Sequence, residues 1–296
     1  MVRFNEKGFG VLLALSTGIS WGIVSPLARI LTDHGVDMLT VIVLRTVIVV
    51  LFIGGLLSLS GYERGLKVQT GSLTLLVSIG IMGVLTSTGF LFSIQYLNVP
   101  IALLIHYLFP LATALGALVF LRERPTLKQF IAGVLILFGL WVGLFRNSYF
   151  SQIQFTGLGV FWGLLAVVGL SGQSLLGRFA ALKGLDYRRL VFYSNIFGLL
   201  ALGGVKMAFF GVSDLIAIPF SDLLRILAIG LIGGALASIT YYSSLRFISS
   251  PLASLLCTSE IVVGMLGSSL LLKLAPSIPE MAGAFIIIFA IRLSPY

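Results

Sequence analysis

Apolar residues in this chain do not alternate with polar ones; they run on for twenty or more positions at a time. Charge-poor stretches separated by short polar joints predict ten helices, at 8–31, 38–60, 72–96, 99–121, 127–145, 155–181, 189–210, 224–246, 250–272 and 278–294. Most have about the 20 residues a helix needs to cross the hydrocarbon core. Val68 to Leu121 contains no Asp, Glu, Lys or Arg and is too long for one span. The break falls at Asn98-Val99-Pro100, since proline restricts the residue before it and lacks a backbone donor. Ser249-Ser250-Pro251 makes a similar joint between the eighth and ninth spans, and Arg122-Glu123-Arg124-Pro125 closes the fourth. A membrane barrel would show strands of about 9–11 alternating residues. Backbone groups in lipid must be paired internally, so these runs read as helices.

Composition agrees with the pattern. Of 296 residues, 58% are hydrophobic and 10% charged, against about 25% charged in soluble chains. Such a chain cannot cover a water-exposed surface, and it reads as an all-α polytopic membrane protein whose surroundings are the lipid bilayer. The net charge of +9 does not point to nucleic acid, because Lys and Arg occur as ones and twos between apolar runs. Phosphate neutralisation needs several such charges close together. Loop placement explains the surplus. One side receives Arg3, Lys7, Arg64, Lys67, Arg122, Arg124, Lys128, Lys183, Arg188, Arg189, Arg246 and Arg292; the other receives Arg146 and Lys273 with Asp33, Asp37, Asp214 and Glu280. The positive-inside rule then predicts both termini on the cytoplasmic side of the inner membrane. The first apolar segment lacks a cleavage site and reads as a retained helix.

The sequence is faintly self-similar at offsets of 149 to 151. Ser25-Pro26-Leu27-Ala28-Arg29 resembles Ser174-Leu175-Leu176-Gly177-Arg178, and Ile79-Gly80-Ile81-Met82-Gly83 returns as Ile229-Gly230-Leu231-Ile232-Gly233. Pro100-Ile101-Ala102-Leu103-Leu104 returns as Pro251-Leu252-Ala253-Ser254-Leu255. Two five-helix halves, 1–148 and 149–296, follow. Five crossings invert the second half in the membrane, an arrangement that suits alternating access around a central site.

The sequence resembles the drug/metabolite transporter superfamily, particularly its EamA-type members. The resemblance spans the whole chain. It rests on Ser20-Trp21-Gly22, Arg45, Pro100-Ile101-Ala102-Leu103-Leu104, Pro110, Leu121-Arg122-Glu123-Arg124, Gln129, Gly133 and Gly139, and in the second half on Pro251, Glu260, Gly267, Pro279, Gly283 and Phe289. It implies a ten-helix fold that exports amino acids or small metabolites. Helices 1–4 and 6–9 would surround the route, while helices 5 and 10 support the repeats and can contribute to association, leaving monomer and homodimer both open. Two positions depart from the pattern: Ile261 follows Glu260 where proline is common, and the acid matching Glu123 is replaced in the Lys273-Leu274 region.

The route candidates are polar or aromatic residues within apolar spans. Glu260 could bind an amine, pair with Arg45, exchange a proton, or hold neighbouring helices by a fixed hydrogen bond. Arg45 suits a substrate carboxylate, whereas Arg29 and Arg178 can snorkel to the headgroups. His106 titrates near neutrality when unperturbed, but one histidine does not establish proton coupling. Tyr107, Gln95, Gln173, Asn195 and Tyr241 offer polar contacts, and Trp21 and Trp162 are cavity-wall or packing residues. Gly18, Gly22, Gly80, Gly83, Gly139, Gly143, Gly230 and Gly233 suit close helix contact. Cys257 alone forms no intramolecular disulfide, and with His34 and His106 it makes no zinc set. No phosphate loop is present, so no cofactor is expected, with proton coupling left open. Alternating-access export of a small metabolite such as an amino acid leads; a passive channel or a non-transporting scaffold is the alternative. Helix parity predicts that tags fused to Met1 and Tyr296 report from the same, cytoplasmic side, and protease protection of either tag alone would contradict it.

Overall fold

The computed structural model of this chain describes residues 5–60, 70–144, 156–211, 213–216, 218–273 and 275–294. The predicted boundary between residues 148 and 149 lies outside them, as do Arg3, Arg64, Lys67, Arg146, Leu274 and both tag positions. Every described element is helical. The spans are α1 Glu6–Asp33, α2 Met38–Leu59, α3 Thr70–Tyr96, α4 Val99–Leu121, α5 Leu127–Leu144, α6 Gly157–Leu182, α7 Tyr187–Phe209, α8 Phe220–Ser244, α9 Ser250–Leu272 and α10 Ile278–Leu293. Among the described residues, the first nine are long and apolar enough to cross a membrane. The tenth has 16 residues and packs along α5.

The same local chemistry starts and stops the helices of both halves. Gly35 ends α1 with φ 78°, and Gly184, 149 positions later, ends α6 with φ 74°. A residue without Cβ adopts this left-handed cap without strain. Two positions on, Asp37 accepts from the Thr40 amide and Asp186 from the Arg188 amide, capping α2 and α7. The α4 and α9 spans close on left-handed Arg122 (φ 54°) and Lys273 (φ 55°), 151 positions apart. Packing follows the same exchange. The α3–α6 contact has its image in α8–α1, α1–α9 in α6–α4, and α3–α7 in α8–α2, while α2–α7, α4–α9 and α5–α10 pair across the pseudo-twofold. The fold is therefore two five-helix repeats, inverted because five crossings separate them.

Three spans differ from the continuous helices expected. In α4 the α-helix stops at His106 and restarts at Phe109, because Pro110 offers no N–H to the His106 carbonyl. Its last stretch, Ala117–Leu121, is π-helical. In α9 the helix stops at Cys257 and restarts at Ser259; the Thr258 hydroxyl bonds the Leu255 carbonyl and the Ile261 amide reaches back only three residues, to Thr258. The two breaks occupy equivalent repeat positions. The third, α8, begins at Phe220 rather than 224 and is π-helical over Ile229–Leu236.

The glycines lie at close crossings. A methyl group added at Gly22 would sit 2.8 Å from the Glu260 carbonyl oxygen, and one at Gly18 2.7 Å from that of Cys257. At Gly80 it would meet the Ser194 carbonyl at 2.8 Å and at Gly139 the Gly283 carbonyl at 2.8 Å, while at Gly230 and Gly233 it would press on Ile48 and Val24. Gly143 differs, since its nearest atom would be 3.7 Å away, an ordinary contact. Gly22→Ala should therefore lower the melting temperature through a cost of about 1–3 kcal/mol, while Gly143→Ala leaves it unchanged or raised. Thermal unfolding of the two purified variants checks this, and equal behaviour would contradict the close approach of α1 to α9.

Candidate functional site

A cavity of about 320 Å³ lies where the repeats meet, lined by α1–α4 and α6–α9 and by no residue of α5 or α10. Its lining includes Arg45 and Thr46 of α2, Ser194 and Asn195 of α7, His106 of α4, Tyr241 of α8 and Glu260 of α9. The side-chain stem of Arg45 runs over Gly234, where an added methyl would lie 3.4 Å from its Cγ. That is an ordinary contact; glycine is needed there because an added methyl would overlap the Val49 side chain of α2. No described residue supplies Arg45 with an ion pair or hydrogen bond.

Glu260 stands in the first turn of the second half of α9. Helix amides left unpaired at such a start, and the helix dipole, favour a carboxylate there. Its Oε1 accepts from the Tyr107 hydroxyl at 2.9 Å. The alternative in which Glu260 pairs with Arg45 is thereby corrected: the side chain is engaged from the break in α4, and Arg45 is left to the cavity. His106, in the last turn before that break, packs its ring 4.8 Å from Phe90, and its buried Nδ1 has no hydrogen-bond partner among the described residues.

Fixed groups complete the wall. Trp21 donates from its indole nitrogen to the Gly233 carbonyl at 3.2 Å and lies 5.9 Å from the Tyr241 ring, whose hydroxyl bonds Ser174. Asn195 donates one amide N–H to the Val191 carbonyl at 2.7 Å, leaving its second N–H and its amide oxygen to offer. Gln173 occupies the space that a Cβ at Gly83 would fill, with its amide nitrogen only 2.6 Å from that point, so this glycine seats a cavity side chain.

The two ends of the cavity are unlike. At the end marked by Glu123, Arg178 donates from Nε to Glu123 at 2.6 Å and from Nη1 to the Leu245 carbonyl at 2.6 Å. Glu123 also accepts from the Ser250 amide and hydroxyl, each at 3.3 Å. These bonds join the ends of α4, α6 and α8 to the start of α9. All of Ser250–Cys257 is buried, whereas its repeat counterpart Val99–His106 buries only Ala102. The Glu123 end is closed. At the opposite, Asp37 end, a groove of about 690 Å³ runs along the second half of α9, between Leu103 and Tyr107 of α4 and the packed α5–α10 pair, from Arg29 and Lys273 inward to Glu260, which faces both spaces.

The Asp37 end also holds a cluster that the sequence did not disclose. Lys206, 2% exposed in the last turn of α7, bonds Asp214 at 2.9 Å and Asp37 at 3.3 Å. Burial pushes the Asp37 carboxyl up, but bonds from Thr40 and Lys206 outweigh it and hold the group below its usual range. The Thr40 hydroxyl, then Lys206, does the same for Asp214. Both carboxylates stay ionised opposite the ammonium.

The structure brings together Trp21, Arg45, His106, Gln173, Asn195, Tyr241 and Glu260. Tyr107 reaches the group through Glu260 and lines the groove. Gln95 lies apart, exposed beside Asp37 in a separate pocket. Trp162 is absent from the cavity wall and packs on Phe92 at 4.8 Å and Phe161 at 5.6 Å. Thr46, Ser87, Ser194 and Tyr242 also line the cavity. Their place one residue after Arg45, four after Gly83, one before Asn195 and one after Tyr241 was the available signal.

The EamA-like transporter family profile matches residues 8–145 and again 157–294. A solved crystal structure of a protein 17% identical in sequence superposes with a TM-score of 0.78, covering 96% of this chain and 95% of its own. That likeness concerns the fold. No curated protein matches the chain significantly in sequence.

The Tyr107–Glu260 contact makes a measurable claim on stability. Glu260→Gln retains an acceptor for the hydroxyl and should melt close to the parent. Glu260→Leu strands the buried Tyr107 hydroxyl and should cost about 1–3 kcal/mol. Thermal unfolding of both variants checks the difference, and equal losses would remove the contact from the stability of this site.

Proposed function

The chain belongs to the EamA-like transporter family, and on that premise we propose that it exports a small zwitterionic metabolite, such as an amino acid, across the cytoplasmic membrane by alternating access. One observation carries the reading: an unpaired guanidinium and a tyrosine-held carboxylate face a single central cavity. Arg45 suits a substrate carboxylate, which its planar fork can hold with two parallel bonds. Glu260 and the Asn195 amide oxygen suit an amine, and Trp21 with Tyr241 forms an apolar wall for the remainder. Substrate thus supplies the countercharge that the described residues do not give Arg45.

Closure at one end with a groove at the other supports alternating access over a passive channel, which needs both ends open at once. Repeat symmetry gives the mirror-image state at no cost in new architecture. The basic loops put both termini and the Glu123 end in the cytoplasm, so the cavity is open outward in this reading. Glu260 and His106 are the groups through which a proton would couple, by exchange at the carboxyl or the imidazole.

Proteoliposomes loaded with unlabelled amino acids and related metabolites test the proposal by counterflow of the labelled compound. Saturable accumulation of a zwitterion is the expected result, with Arg45→Gln lowering its apparent affinity about tenfold or more, the loss of a charge-assisted hydrogen bond. Flux that rises linearly with concentration and shows no counterflow would identify a channel. Correctly inserted protein that moves none of the compounds would favour a scaffold.

A further inference from the structure

Arg178 and Arg29 occupy the same repeat position, 149 residues apart, and have different fates. Arg178 is 16% exposed and binds Glu123, itself 15% exposed, across the α6–α4 boundary. Arg29 is 65% exposed, and its nearby carboxylate, Asp33 at 3.9 Å, is one turn away on the same helix, so the contact ties no two helices together. The reason is written into the second repeat. Since α4 and α9 end on equivalent left-handed residues, Arg122 and Lys273, the position matching Glu123 is 274, which is leucine. A second member is missing too: Ser250 is matched by Val99, which has no hydroxyl.

We propose that the Glu123–Arg178–Ser250 network is a latch built at one end only, which biases the resting transporter toward closure at the Glu123 end. The inference rests on the alternating-access reading and adds to it an asymmetry between the two states. Opening the Glu123 end breaks a partly buried, charge-assisted pair and strands a carboxylate among helix ends. At the Asp37 end Arg29 has no acid at the position matching Glu123, and Glu280, which lines the same groove, is already engaged by the Ser277 amide and hydroxyl. A hydrogen bond to a charged group shifts such an equilibrium by about tenfold or more. Substrate binding then has to supply a matching difference in affinity for the cycle to turn.

Double electron–electron resonance in nanodiscs tests the latch without any substrate. In a Cys257→Ser background, one label pair replaces the exposed Arg124 and Arg246 at the Glu123 end, and a second replaces Val99 and Ala275 across the groove. Glu123→Gln should add a longer Arg124–Arg246 population, raising the open-to-closed ratio about tenfold, while the Val99–Ala275 distance shortens. Leu274→Glu, which supplies an acid at the sequence position matching Glu123, should shorten Val99–Ala275 even if Glu123→Gln folds poorly. Unchanged distances in both variants would overturn the latch and leave alternating access standing. Lengthening at the Glu123 end with the groove unmoved would refute the alternating-access reading itself, and the proposed bias with it.

Discussion

Two helix breaks at equivalent repeat positions, after His106 and after Cys257, set the geometry on which the rest of the structure depends. In hydrocarbon an unpaired backbone group is tolerated only where protein or a cavity covers it. The breaks therefore face the repeat interface. They turn two continuous spans into half-helices whose inner ends meet beside the cavity. A half-helix start is a favourable place for a carboxylate, and Glu260 occupies one, received by Tyr107 from the other break. The hydrogen bond joins the two repeats at the level where a solute would sit.

Backbone symmetry and side-chain asymmetry then divide the labour. Glycine caps, aspartate N-caps and the crossing glycines Gly80 and Gly83, matched by Gly230 and Gly233, recur in both halves, so the frame has two nearly equivalent ways to pack. Cavity positions do not recur in chemistry: Arg45 is matched by Ser194, Glu260 by Phe109, Gln173 by Val24 and Trp21 by Leu170. A twofold frame with such a lining has a charge axis, with the cation on α2 and the carboxylate on α9.

The closed and open ends express the same asymmetry in packing. Ser250–Cys257 is enclosed by α1, α4, α5 and α6, while the equivalent half of α4 leaves a groove. Lys206 with Asp37 and Asp214 holds the α7–α8 connection to α2 at the open end without spanning that groove. Ion pairs at the two ends thus serve different purposes, one joining the gate helices and one fastening a loop.

The sequence by itself determined the membrane class, the spans, the repeat and most of the cavity chemistry, because lipid thickness and the cost of buried charge act directly on composition. Long charge-free runs could only be helices, and a charged or amide side chain within one had to find a polar space, which placed Arg45, Gln173, Asn195 and Glu260. Contacts between distant segments were decided by tertiary structure alone. Whether Glu260 met Arg45 or Tyr107 depended on how α9 broke at Thr258, a local choice with no proline to announce it. Trp162 and Trp21 look alike as single aromatics, yet only Trp21 met a π-helical carbonyl at the interface. Lys206 lies near the end of an apolar span, and its burial followed from two loops, one after α1 and one after α7, converging on it. Which end of the cavity closed depended on Glu123 reaching Arg178 across 55 residues of chain, a choice that periodicity and span length do not encode.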